Sequence, residues 1–167
     1  WLNDAFAKDG VEGSVKAAKD LLRQFDSISG VASAARNHFS RAASTLAGQE
    51  KFTEALHVID QGEKLLEDKQ ALLNGARAVY DRWASSYESQ KEWQKAADVY
   101  AHGLKRYPDD SHLKNNAAVL WDAWARTYFP TKQWSEAIKV YEQGLKALPS
   151  SSLLKNNLKY CQQQAGG

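Results

Sequence analysis

Three asparagines, Asn74, Asn115 and Asn156, stand 41 residues apart in a chain of 167. A carboxamide both donates and accepts, so a column of them suits the backbone of an extended peptide. Asp122 follows Asn115 by seven residues, and seven helical residues return to within roughly 20° of the same direction. Asp81 holds the corresponding place one period earlier, with Arg82 and Ser85 beside it, and Arg126 lies four residues past Asp122. Ser33 stands where a fourth asparagine would be. A plainer use of the same residues is open. Asparagines near helix starts tie neighbouring helices together, and Asp122 and Arg126, four apart on one helix, can pair with each other.

Catalytic chemistry finds less support. His38, His57, His102 and His112 fall in different columns of the period, and none forms an i, i+4 pair with a carboxylate motif, so no metal site is expected. Ser111-His112-Leu113-Lys114 contains S-x-x-K without a second motif, and Ser111 reads as a helix cap. Gly10 and Gly13 lack a preceding strand and a third glycine, so no phosphate loop is supported. Five of the six tryptophans lie on apolar stripes and read as packing. No catalytic residue, metal or cofactor is assigned.

The 41-residue step runs through the whole chain. It relates Phe52, Trp93 and Trp134, then Ala55, Ala96 and Ala137, then Val58, Val99 and Val140, then Gly62, Gly103 and Gly144. Such a period marks supersecondary units that must stack to bury their apolar faces. Trp134, Ala137, Ile138, Tyr141, Leu145 and Leu148 follow the spacing of one helical face. Trp93 to Tyr107 repeats it, and Val11, Val15, Ala18, Leu22 and Phe25 predict a similar helix near the start. Pro108 and Pro149 end two of these helices. The next helices start after Asp109-Asp110-Ser111 and Ser150-Ser151-Ser152, whose short oxygens can cap unpaired N–H groups. The stripe of Leu113, Ala117, Leu120, Trp121, Trp124 and Tyr128 predicts a helix broken at Pro130 and Thr131. Each unit is expected to be a long helix, a tight turn and a shorter helix.

Trp121, Trp124, Ala125, Tyr128, Ala137, Tyr141, Gly144 and Pro149 have the spacing of the large and small positions of tetratricopeptide (TPR) repeats. Tyr80, Trp83, Ala84, Tyr87, Ala96, Tyr100, Gly103 and Pro108 have it again, and a degenerate unit holds Phe39, Ala42, Ala43, Leu46, Ala55, Ile59 and Gly62. The chain resembles that family over nearly its whole length. The resemblance implies an all-α, right-handed superhelical array of antiparallel helix pairs, a TPR-like α-solenoid. It divides a single domain 1–167 into a partial repeat 1–26, a degenerate repeat 27–67, repeats 68–108 and 109–149, and a capping helix 150–167. The family period is about 34 residues; the extra length here adds close to two turns, or roughly 10 Å, to each first helix.

By the same resemblance Asp81, Asp122 and Ser40 match positions that point into the concave groove, with Arg82, Ser85, Arg126, Arg41 and Ser44 beside them. The asparagine column is similar in idea to the ladders of armadillo repeats and of the TPR region of O-GlcNAc transferase, although here it occupies the inserted turns. Asp81 and Asp122 stand where the family's carboxylate clamp carries lysine, which disfavours acidic C-terminal peptides as ligands.

The balance of 22 basic against 20 acidic residues, with no Lys/Arg stripe, argues against nucleic acid. Apolar runs are too short to insert in a membrane. A single cysteine, Cys161, excludes an internal disulfide framework and assigns no compartment. The lack of methionine, and a start at Trp1 in mid-repeat, read as a piece of a longer chain. The expected function is a scaffold that binds a protein or peptide segment on the concave face. The alternative is a non-catalytic regulatory or targeting arm of a larger enzyme or membrane protein. A third option is weak self-association through the edge near Trp1 and Phe6.

Overall fold

A computed structural model describes residues 2–24, 30–68 and 70–166, with the side chains of 2–8 left outside that description. Trp1 and Phe25 therefore lie outside the described residues, as does the side chain of Phe6. The described chain is all-α, with helices packed as sequential antiparallel pairs. In order they are α1 (Leu2–Gln24), α2 (Val31–Gly48), α3 (Phe52–Leu65), α4 (Leu73–Ser89), α5 (Trp93–Arg106), α6 (Ser111–Arg126), α7 (Trp134–Ala147) and α8 (Ser152–Ala165). The first helices α2, α4 and α6 run 18, 17 and 16 residues, against 14 for α3, α5 and α7. The longer first helix expected from the period is present in each pair.

The helices end where backbone chemistry requires it. Asp110 sits in extended conformation and accepts from the Leu113 N–H at 2.8 Å, and Ser151 does the same for Leu154 at 3.4 Å. Ser111, expected as the cap, is instead the first residue of α6; the carboxylate of Asp110 takes the role, favoured by its charge at a helix N-terminus. α6 also stops short of Tyr128. The N–H groups of Thr127, Tyr128 and Phe129 turn to carbonyls three residues back, at 3.1, 3.2 and 3.1 Å, a tightened last turn that precedes Pro130. Between the helices of each pair one residue takes left-handed backbone, namely Glu50 (φ 60), Lys91 (φ 58) and Lys132 (φ 54). These three are again 41 apart, so the turn geometry follows the repeat even without glycine.

The chain divides into two compact units, Trp1–Trp83 and Ala84–Gly167. In the first, α1, α2 and α3 pack on one another around Phe39, Val58 and Ile59, all wholly buried. α1 is broken at Gly10, whose φ of 63 and ψ of −146 suit a residue without a Cβ. Phe52 stacks on Trp83 with centroids 5.7 Å apart. In the second, α6 packs on α5, α7 and α8, burying Leu113, Ala117, Trp121, Tyr141, Leu154 and Cys161. The tryptophans pack as expected. Trp121 stacks on Trp124 at 5.2 Å, and Trp134 meets Phe129 at 5.1 Å.

The glycine column marks the closest approaches. A Cβ on Gly62 would meet Leu72 and the Phe39 ring, and one on Gly144 would stand 2.9 Å from Trp121 Cγ and 3.0 Å from Leu154 Cδ1. Gly144→Ala should therefore lower stability by about 1–2 kcal/mol. With all three nearest atoms at 3.1 Å or less, overpacking falls in the upper part of its range, about 2–3 kcal/mol, and roughly 1 kcal/mol of helix propensity offsets it. Urea unfolding checks this, and an unchanged or raised midpoint would contradict the close packing.

Candidate functional site

The outward stripe of α6 carries Asn115, Val119, Asp122 and Arg126, spaced so that all lie on one helical face. Asn115 and Arg126 are exposed, and Val119 is 59% exposed, an unusual position for a valine in a packed array. On α8, Asn156 and Tyr160 occupy the same two places 41 residues later, and Tyr160 is 46% exposed. Asn115 and Val119 also line a groove of about 590 Å³ walled by Leu148, Pro149 and Leu153. Sequence reasoning found the amides but missed the apolar column beside them. Its signal was present, since Val119 and Tyr160 share a register.

The first unit holds Asn74, Asp81 and Arg82. Asn74 is exposed near the start of α4 and accepts from Arg77 Nη1 at 2.9 Å. Asp81 is half-buried, Arg82 is exposed with its guanidinium close to Gly48, and Ser85, which falls in the second unit, is exposed.

Asp122 does more than pair along its helix. Its Oδ2 accepts from Arg126 Nε at 2.7 Å, while Oδ1 accepts from the Tyr141 hydroxyl at 2.7 Å and from Asn157 Nδ2 at 2.5 Å. One carboxylate thus joins α6, α7 and α8. Burial, then the bond to Asp122, holds the Tyr141 phenol well above its ordinary value. Burial and then the Asp122 charge likewise raise the Cys161 thiol, which makes it a poor nucleophile. The guanidinium of Arg126 is raised by its bond to Asp122 and then by that group's charge. The tie between helices foreseen for asparagine is therefore made here by Asn157, the residue after Asn156. Asp81, Tyr100 and Asn116 recur 41 before Asp122, Tyr141 and Asn157, a coincidence of three columns from which the cluster could have been read.

One buried pair has the residue types of a nucleophile and a base. His38 Nε2 and Ser14 Oγ share a hydrogen bond of 2.9 Å between α2 and α1. At 4% and 0% exposure neither can meet a substrate, and the pair serves to dock α1. Burial, and then the charge of Arg41, push the His38 imidazole below its ordinary 6.5. Of the S-x-x-K residues, His112 bonds Asn116 at 3.1 Å and Lys114 lies 4.0 Å from Asp109. Among the described residues no group of three or more His, Cys, Asp or Glu is placed to hold a metal ion. No helix among them is long and apolar enough to cross a membrane.

Sequential antiparallel helix pairs of this length have relatives of a definite kind. The family model of the soluble NSF attachment protein, SNAP, matches residues 14–165. The chain belongs to the SNAP family. The match covers both units, and it places the TPR likeness as one of architecture, since SNAP proteins form a TPR-like helical repeat family. SNAP-family proteins are non-catalytic, protein-binding adaptors, and this chain is one of them. Compared with curated proteins, the chain finds no match.

Two outcomes follow from the buried polar groups of this SNAP-family chain. Tyr141→Phe keeps the ring and removes one bond to a charged group, so it should cost about 1.5–3 kcal/mol in urea unfolding with an unchanged slope. The unfolded chain restores His38 to its ordinary value. Between the depressed folded value and 6.5 the unfolded state then binds more protons, and stability falls as pH falls through that window. The melting temperature should drop between about pH 7.5 and about pH 5.5, and His38→Gln, which can keep a bond to Ser14, should flatten that slope.

Proposed function

We propose that this chain is an adaptor that attaches NSF to other proteins, holding a segment of a partner along the exposed stripes of α6 and α8. The observation that carries the reading is the pairing of exposed Asn115 with exposed Val119 on α6, repeated by Asn156 and Tyr160 on α8. Amides beside an apolar column offer both parts of a protein contact, namely hydrogen bonds that fix orientation and apolar area that supplies affinity. Asn74, Asp81, Arg82 and Ser85 hold the equivalent register places on α4, and Asp122 and Arg126 lie at the far end of the α6 stripe. Asp122 contributes mainly through its Arg126 partner, because Tyr141 and Asn157 already occupy its inner oxygen. The family name supplies NSF as the attached protein.

The double variant Asn115→Ala/Val119→Asp tests this, because both side chains are exposed and surface changes of this kind move stability by about 0.5 kcal/mol or less. With the chain immobilised, capture of NSF and of the proteins that come down with it should fall by at least about tenfold, equivalent to about 1.4 kcal/mol. The thermal melt should stay in place. Equal capture by the variant and the unmodified chain would refute the stripe as the contact surface.

A further inference from the structure

α8 is held differently from the other helices of its unit. α6 buries Leu113, Ala117, Ala118, Leu120, Trp121 and Ala125, and α7 buries Ala137, Val140, Tyr141 and Gly144. α8 wholly buries only Leu154 and Cys161, with Asn157 and Leu158 half-buried between them. Lys155, Asn156, Lys159 and Gln162 to Gln164 all face solvent. Helices with few buried apolar contacts open at lower free energy than the core they sit on.

Its polar hold is correspondingly specific. Asn157 donates to Asp122, whose carboxylate is already set by Tyr141 and Arg126, both on the α6–α7 pair. The receiving surface therefore exists without α8. It consists of Gly144, where Leu154 lies against Trp121, the Asp122 carboxylate, and the Phe129–Trp134 edge that Tyr160 covers at 6.1 Å from each ring. We infer that α8 is a strap, lifting and re-seating as a unit on α6 and α7, with the Asp122–Asn157 bond as its buckle. When it lifts, it uncovers an apolar strip with one carboxylate at its middle.

Native-state hydrogen exchange on the full chain, unmodified and as Asn157→Ala, tests the strap. In the unmodified protein the amides of residues 156–163 should exchange as one class, at least about tenfold faster than those of α6 and α7. Asn157→Ala removes a bond to a charged acceptor and should speed that class by a further 10–100-fold or about that, leaving α6 and α7 unmoved. Three results would overturn the inference: one shared class for α6, α7 and α8 in the unmodified protein, acceleration spread over all three helices in the variant, or a separate α8 class that Asn157→Ala does not move. The first of these is read without any variant, so a variant that fails to fold leaves the strap still open to refutation.

Discussion

At Gly144 the backbone of α7 comes so close to Trp121 and Leu154 that no side chain fits between them. Packing in the second unit follows from that approach. It lets Trp121 lie buried under two helices, brings Leu154 of α8 onto the same spot, and carries Tyr141 to the carboxylate of Asp122. Gly62 plays the same part in the first unit, against Phe39 and Leu72. Helices meet closely where one of them lacks a side chain, and an aromatic ring from the other fills the space. Gly62 and Gly144 stand two periods apart, so one packing device serves each unit.

Within such an array a polar group taken out of water is costly unless it is hydrogen-bonded. Asp122 meets the requirement by taking donors from three helices, and the buried Ser14–His38 pair meets it in the first unit by sharing one bond. Among the described residues no buried side-chain nitrogen or oxygen is left without a partner. These groups hold helices together, and the adaptor role comes from the family.

What the interior does not use, the surface presents. α6 exposes Asn115 and Val119, and α8 exposes Asn156 and Tyr160, while α5 and α7 carry solvated charge pairs at their starts, Lys95–Glu92 and Lys139–Glu136. Those exposed pairs contribute little to stability.

The period, the helix types and most helix ends were legible in the string. Glycine, tryptophan and alanine recur at fixed steps, proline stops helices wherever it falls, and Asp110 and Ser151 are local caps needing no distant partner. Helix spacing also showed that Asp122 and Arg126 could pair, which they do. The roles of adjacent asparagines were decided only by tertiary structure. Asn156 and Asn157 are neighbours in sequence, yet about 100° of helical rotation separates their directions. One points to solvent, and the other meets a carboxylate 35 residues away. Local pattern fixes which faces a helix has. Which face is covered depends on how closely the neighbouring helices approach, and that is set by side chains far off in the chain.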